Sequence, residues 1–338
     1  GGPPKEAVGD TLARTAETPI GFGAGSVIVA PIPLSNPTIG SGLTLVGGYL
    51  FQLDVGSDTS FAGLAHMRTD NGTEASAGAL DLSFGAGRWS LLAAYAQADV
   101  NYRLTGVTGR DFGGLPVSQS GDLGKLNVEY GATDRLSFRI EALVLRTSIG
   151  ADRETSLLPP GLPGFGIEVE DRLAGPVLEW STVDDSIYPA SGASVRLLWQ
   201  RGRAAALGVE RDYDRAILDA KAYRETGDTG VLALRATACT ASTDTPFYNL
   251  CGLGVTDGLR GFAFGEELGH ALLSGQMEYR YRLGTRLGLT AFAGLGAVSS
   301  DLGEMREEAL RYAGGIGLRY RISRDFPLDF AADATANG

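Results

Sequence analysis

The chain has 338 residues, of which 49 are glycine and only 20% are charged, and its formal net charge is −11. This negative charge argues against nucleic acid as a partner, because it would repel phosphate backbones. No run of 18 uninterrupted apolar residues occurs, so the sequence offers no membrane-spanning helix. Beyond the N-terminal region, few segments show the periodicity of a helix. Together with the high glycine content, this favours an all-β fold.

The first 25 residues, Gly1 to Gly25, differ from the rest of the chain. They begin polar and flexible, carry no secretory signal, and are too short for a folded domain, so we expect a processed form. Residues 5–18 have a weak apolar stripe that predicts a short helix at the periplasmic rim or in a barrel lumen. A disordered tail is the alternative.

Residues 26–338 are predicted to form a transmembrane antiparallel β-barrel, because strand-length segments alternate apolar and polar residues. In the clearest segment, Leu273, Met277 and Tyr279 fall on one face while Glu278 and Arg280 fall on the other. Fifteen strands are predicted, at 26–33, 42–53, 59–68, 73–85, 89–105, 122–131, 135–148, 167–181, 193–204, 211–224, 230–240, 270–283, 286–299, 310–322 and 326–335.

The connections between these strands alternate in length. Tight turns such as 131–134 and 226–229 alternate with long loops near 106–121, 149–166, 241–269 and 300–309, and residues 182–192 form the one long member of the short set. Long loops on one rim and short turns on the other are typical of bacterial outer-membrane barrels, where the long loops lie outside the cell. Because such barrels have even strand numbers, we expect sixteen strands, the last of which this chain lacks.

Aromatic residues recur at the ends of the predicted strands. Trp89, Trp180 and Trp199 are examples. They fit the aromatic girdles found at membrane interfaces, with ordinary core packing as the alternative.

Three motifs carry a resemblance to a known family. Asp257, Gly258, Leu259, Arg260, Gly261 and Phe262 form an Arg-Gly motif in the longest loop, residues 33–42 form a proline- and glycine-rich opening segment, and Asp184, Pro189 and Gly192 lie in the turn at 182–192. The sequence resembles the BamA/TamA outer-membrane superfamily, which includes the bacterial surface antigens and two-partner-secretion transporters. Ser181 and Val183 replace an acid and an arginine of the family's turn motif.

The resemblance implies a pore that assembles or translocates unfolded or secreted client polypeptides, with the sixth outer loop folded into the lumen. Family members usually carry POTRA domains before the barrel, and we expect this chain to lack them. A poorly paired seam between the first and last strands would open sideways, and Pro31, Pro33 and Pro37 weaken the first strand. Outer-membrane lipid and lipopolysaccharide are the other expected partners.

Arg260 is expected to anchor the loop, because a guanidinium between glycines can approach carboxylates closely in a narrow lumen. Glu278 lies on the charged face of its strand, and the resemblance also implies an acidic partner there. The second acid expected on the next strand is absent, because Gly294 occupies that position. Asp81, Asp219 or Asp329 could replace it, and a solvated Arg260 is the alternative.

Cys239 and Cys251 are the only cysteines, and they flank the start of the same loop. In an oxidising compartment they could form a disulfide worth about 3 kcal/mol, or they could remain free thiols. They predict no metal site, because neither has a histidine nearby and the CxxC spacing is missing. No cofactor is expected.

The sequence also bears on two other functions. A passive porin-like channel for small solutes is the main alternative, with inward cations that include Arg139, Arg196, Arg215, Lys221, Arg235, Arg280, Arg282, Arg319 and Arg321. An enzyme is not expected, because the two histidines are isolated in sequence and no nucleophile motif occurs. The location that these features favour is the bacterial outer membrane.

Overall fold

A computed structural model describes residues 21, 23, 25–36, 38–107, 110–151, 166–185, 188–262, 266–284, 287–306, 308–321 and 329–338. Most of the predicted N-terminal tail, residues 1–20, lies outside this range. In the described residues, no helix is long and apolar enough to cross a membrane.

The chain is all-β, and fifteen strands form one antiparallel sheet in chain order. These strands are β1 (Ser26–Asn36), β2 (Gly40–Phe51), β3 (Ser60–Thr69), β4 (Glu74–Phe84), β5 (Trp89–Val107), β6 (Arg110–Thr133), β7 (Leu136–Ala151), β8 (Gly166–Ser181), β9 (Gly192–Ala206), β10 (Val209–Thr226), β11 (Gly230–Ala241), β14 (Ala271–Leu283), β15 (Leu287–Ser299), β16 (Arg311–Arg321) and β17 (Asp329–Asn337). Two short strands, β12 (Cys251–Gly252) and β13 (Leu268–Gly269), pair with each other inside the long loop.

The edges of the sheet are β1 and β17, and no ladder joins them in the described part of the chain. The closure of the barrel and the sixteenth strand therefore remain predictions. Pro31 and Pro33 lie in β1, opposite Leu45 and Leu43 of β2. Proline lacks a backbone N–H and is tolerated mainly in edge strands, which is the place that β1 occupies.

The predicted loop near 106–121 is wrong, because most of it is strand. β5 continues to Val107 and β6 begins at Arg110, so the two strands form one tall hairpin. Ser118, Gln119 and Ser120 are all polar, so this part of the strand lacks the alternation of apolar and polar residues that predicts a strand.

The two faces of the sheet differ in chemistry, as period-two alternation requires. The face that carries Phe138, Leu178, Leu197 and Leu218 in one cross-strand row is called the apolar face. Each of these four side chains is at least 39% exposed. The opposite face carries charged residues such as Glu278 and is contacted by residues 242–270, and we call it the loop face.

Candidate functional site

Residues 242–262 and 266–270 fold into a compact unit between β11 and β14. A 3-10 turn at Phe247–Asn249 precedes the small ladder of β12 and β13. Beyond β12, the N–H of Leu253 donates to the carbonyl of Glu267 at 3.1 Å, and the N–H of Thr256 donates to the carbonyl of Gly252 at 2.9 Å. The loop thus satisfies much of its backbone internally and can hold the Arg-Gly motif in a fixed shape.

Asp257, the first residue of the motif, shapes the turn that presents Arg260. Its Oδ1 accepts hydrogen bonds from the backbone N–H groups of Gly254 at 2.7 Å and Leu259 at 3.0 Å. Its carbonyl accepts one from Nε2 of Gln276 on β14, at 2.8 Å. The Asp257 side chain is fully buried, so its role is structural: it ties the motif to itself and to the loop face.

An apolar core joins the loop to the sheet. Its buried members are Cys239, Cys251, Leu253, Leu259, Phe262, Leu272 and Ala313. Leu259 packs over Gly294 of β15, where an added Cβ would lie only 2.5 Å from its Cδ1 atom. The glycine found where an acid was expected therefore has a steric explanation, because it makes room for a loop side chain.

The structure brings Arg260 and Glu278 together. The Arg260 guanidinium donates to Oε2 of Glu278 on β14 and, at 3.1 Å, to Oδ2 of Asp333 on β17. It also lies 4.1 Å from the centre of the Phe292 ring, which adds a cation–π contact. One side chain of the loop therefore bridges β14 and the edge strand β17.

Asp333 is the second carboxylate at this site, and the sequence analysis did not name it. Asp219, one of the three candidates, pairs instead with Nε of Arg235 at 2.7 Å. Asp329, another candidate, precedes Asp333 by four positions on β17. The period-two rule was thus the signal that could have identified Asp333.

The site holds more arginine than acid. Arg280 donates to Glu278 at 2.6 Å, and Arg319 donates to Asp333 at 3.0 Å. With Arg260, three guanidiniums share two carboxylates. Either carboxylate keeps a charged partner when Arg260 is removed, which limits the cost of that change.

A disulfide joins Cys239 at the end of β11 to Cys251 in β12, with 5.8 Å between their Cα atoms. Both cysteines are almost fully buried in the apolar core. The loop is therefore covalently tied to the wall on which it packs.

A second cluster of polar side chains joins the loop to β8 and β10. The Tyr213 hydroxyl of β10 donates to Asp171 of β8 at 2.7 Å, and Nδ2 of Asn249 donates to the same carboxylate at 2.6 Å. Asp171 is fully buried. The sequence alone does not indicate this cluster, because Tyr213 and Asn249 lie 42 and 78 residues from Asp171 and no short motif links them.

The turn at 182–192 is organised by Asp184 and Gly192. Oδ1 of Asp184 accepts hydrogen bonds from the backbone N–H groups of Ala190 and Ser191, each at 3.0 Å. Gly192 has φ of +99°, and an added Cβ would lie 2.2 Å from the carbonyl oxygen of Thr182, so only glycine fits there. The Pro189 carbonyl accepts a 3.5 Å hydrogen bond from Arg280, which connects this turn to the partners of Arg260.

Other cations of the loop face are mostly paired with carboxylates. Arg139 contacts Glu129 at 2.5 Å and Glu141 at 3.2 Å, and Arg196 contacts Glu141 at 3.0 Å. Such pairing lowers the positive potential that an anion-selective channel needs. Within the described ranges, no group of three or more His, Cys, Asp or Glu residues is arranged to hold a metal ion.

No protein-family model and no curated protein matches the chain. Solved structures do match. The crystal structure of BamA from Haemophilus ducreyi lacking POTRA domains 1-3 aligns with a TM-score of 0.56 and 14% identity, over 92% of this chain and 70% of that chain. CdiB from Acinetobacter baumannii aligns with a TM-score of 0.51 and 12% identity, over 93% of this chain and 59% of that chain.

The chain therefore spans less than two thirds of the CdiB chain. At these identities the likeness concerns the fold. It agrees with the predicted resemblance at that level, because the fifteen-stranded sheet is similar to the folds of BamA and CdiB.

Proposed function

We propose that this chain is an outer-membrane barrel that inserts or translocates polypeptides, with the loop face as its lumen and the apolar face in lipid. The fold shared with BamA and CdiB supports this. The observation that carries the proposal is the bridge from Arg260 to Glu278 of β14 and Asp333 of β17. It fixes a lumenal loop to the edge strand at which an unfolded client could pair.

The bridge gives the loop a mechanical role. β17 pairs on one side with β16, and the loop contacts it from the loop face. Arg260 of the loop binds Asp333 of β17, and Nδ2 of Asn337 of β17 donates to the carbonyl of Gly261 in the loop at 2.8 Å. A docked loop therefore keeps the edge strand in register. Undocking would free that edge, and an incoming strand could then add to it by main-chain hydrogen bonds.

Replacing Arg260 with Ala tests the proposal. We expect docking to weaken by about 1–3 kcal/mol, because the partly buried contacts of Arg260 with Glu278, Asp333 and Phe292 are lost while Arg280 and Arg319 still neutralise both acids. The measurement is the rate of protease cleavage within residues 242–270 of the protein reconstituted in lipid. Arg196→Ala is the matched control, because Arg196 is also a partly buried arginine of the loop face and its ion-pair partner, Glu141, lies outside residues 242–270.

The functional arm uses the same two variants in proteoliposomes and follows the folding rate of an unfolded β-barrel client. We expect Arg260→Ala to change this rate and Arg196→Ala to leave it unchanged. Equal cleavage and equal client folding in both variants would refute the role of Arg260.

The passive channel remains the alternative function, and planar-bilayer conductance separates the two. A lumen filled by residues 242–270 should conduct little or erratically, whereas steady large conductance would favour the channel. We also propose that the protein is not an enzyme and that outer-membrane lipid and lipopolysaccharide surround it.

A further inference from the structure

The apolar face ends in arginines at one rim of the sheet. On β8, Trp180 and Leu178 are followed toward the 152–165 connection by Arg172, and on β9, Leu197 and Trp199 are followed by Arg201 and Arg203. On β7 the same change comes at Arg146. Period-two alternation places all four arginines on the face that carries the exposed apolar belt.

This change from apolar to charged follows a diagonal line across the strands. Phe138, Leu178, Leu197 and Leu218 form one cross-strand row and serve as the starting line. On β7 the first charged residue of the apolar face, Arg146, comes eight residues beyond this row. On β10 the first one, Asp214, comes only four residues beyond it. Four residues are about 13 Å along a strand, and three strand spacings are about 14 Å, which gives an angle of about 42°. Strands of membrane barrels tilt by about 35–45°, so the diagonal line is level with a membrane surface.

The depth of this line fits a lipid headgroup layer. From Trp180 at the short-turn end of β8, Arg172 is eight residues away, about 26 Å along the strand and about 20 Å across a membrane after tilt. This is close to the height of about 25 Å for the apolar band of such barrels. The arginines lie toward the rim of the long loops, where the outer leaflet would be.

Arg172 and Arg203 stand directly opposite each other across β8 and β9. Like charges in that position repel, unless an anion lies between them. Glu170 accepts hydrogen bonds from Nε and Nη2 of Arg172, and Asp212 accepts hydrogen bonds from Nε and Nη2 of Arg203. These bonds orient the two guanidinium groups. Among the described residues, Nη1 of each arginine has no hydrogen-bond partner, and the side chains are 66% and 61% exposed.

Arg146 and Arg201 extend the cluster on either side. Arg146 approaches Glu170 at 3.8 Å, and Arg201 approaches Asp212 at 3.7 Å, so four guanidiniums share two carboxylates. The acids Asp122, Glu210 and Asp214 lie in neighbouring row positions and border the four arginines. A cavity of about 690 Å³ adjoins the cluster, and its charged lining residues are Arg146, Glu168 and Glu170.

We propose that Arg146, Arg172, Arg201 and Arg203 form a binding site for the phosphate groups of lipopolysaccharide in the outer leaflet. Guanidinium groups bind phosphate through paired, charge-assisted hydrogen bonds. The cluster spans about 16 Å from Arg146 to Arg201, which is wider than a single phosphate group. A glycolipid with more than one phosphate therefore suits it better than a lipid with one. The inference rests on the proposed placement of the apolar face in lipid.

The test measures lipopolysaccharide binding to the folded full chain in detergent micelles. The variant is Arg172→Gln/Arg203→Gln. The control is Arg211→Gln/Arg311→Gln, which removes two arginines that are also exposed and ion-paired but lie on the loop face. Heat-modifiable migration on gels verifies that each variant is folded.

We expect the Kd for lipopolysaccharide to rise by about tenfold or more in Arg172→Gln/Arg203→Gln and to stay within about twofold in the control. Dephosphorylated lipopolysaccharide should bind the wild type as weakly as it binds the variant. Equal affinities of variant and control would overturn the site. Displacement of the lipid by inorganic phosphate at equal phosphate concentration would overturn the choice of a lipid ligand.

The premise is measured separately with brominated lipids, which quench tryptophan fluorescence in the membrane. Quenching of Trp180 and Trp199 with no effect of the arginine changes would refute the headgroup site and leave the barrel in place. Absence of quenching would refute both.

Discussion

Gly294→Ala is the sharpest perturbation of loop docking, because it adds a single atom. The new Cβ would lie 2.5 Å from Cδ1 of Leu259, 3.0 Å from Cγ of Gln276 and 3.1 Å from the carbonyl oxygen of Gly275. Contacts below 3.0 Å force a neighbour to move, and overpacking of this kind costs about 1–3 kcal/mol. Because β15 is held by ladders on both sides, we expect the loop to move rather than the strand.

The assay is protease cleavage of residues 242–270 in lipid-reconstituted protein, because cleavage reports the free energy of local opening. Gly275→Ala is the matched control. It makes the same change in a neighbouring strand, at a position where an added Cβ meets no atom within 4 Å. Such a change should be neutral or stabilise by about 0.4–1 kcal/mol.

A double-mutant cycle with Leu259→Ala isolates the contact. Leu259 is 1% exposed, so Leu259→Ala alone should cost about 2–5 kcal/mol of docking. In the double variant the clash with Cδ1 disappears while those with Gln276 and Gly275 remain, and the total cost should fall below the sum by about 1–2 kcal/mol. Effects that add within about 0.5 kcal/mol, or equal cleavage of Gly294→Ala and Gly275→Ala, would refute the reasoning.

Two further predictions concern the covalent tie and the turn. Cys239→Ala/Cys251→Ala should lower the stability of the loop by about 3 kcal/mol, seen as faster cleavage that reductant reproduces in the wild type; cleavage that neither change affects would contradict this. At the turn, hydrogen bonds from the backbone N–H groups of Ser191 and Ala190 hold the pKa of Asp184 below its usual 3.8. Its stabilisation is therefore complete above that pH and is lost as pH falls through the lowered pKa, so exchange protection of the Ser191 amide should fall in acid in the wild type and be independent of pH in Asp184→Asn.

The fifteen strands were predictable because alternation is a local property, read from residues two apart. The height of the β5–β6 hairpin was not, because residues such as Ser118 and Ser120 alternate without an apolar face. The candidate site was likewise predictable only in part. Arg260 stood out by its glycine neighbours, and Glu278 by its position on a charged face.

The remaining parts of the site depend on distances that the sequence does not contain. Asp333 lies 73 residues from Arg260, and only the register of β14 to β17 brings them together. At Gly294 the sequence indicates only a missing acid, because one residue type does not reveal that a leucine from a distant loop occupies the space beside it. Tyr213 and Asn249 meet on Asp171 for the same reason.

The two prolines of β1 limit how firmly anything can attach to the open side of that strand. Pro31 and Pro33 are two positions apart, so both missing N–H groups point to the same side of the strand. If that side is the open edge, the donors left on it are those of Val27, Val29 and Ser35, with a gap in the middle. A strand that pairs with β1 would then form hydrogen bonds in two short stretches separated by the prolines. Such a strand would dissociate more easily than one that pairs along the whole of β1.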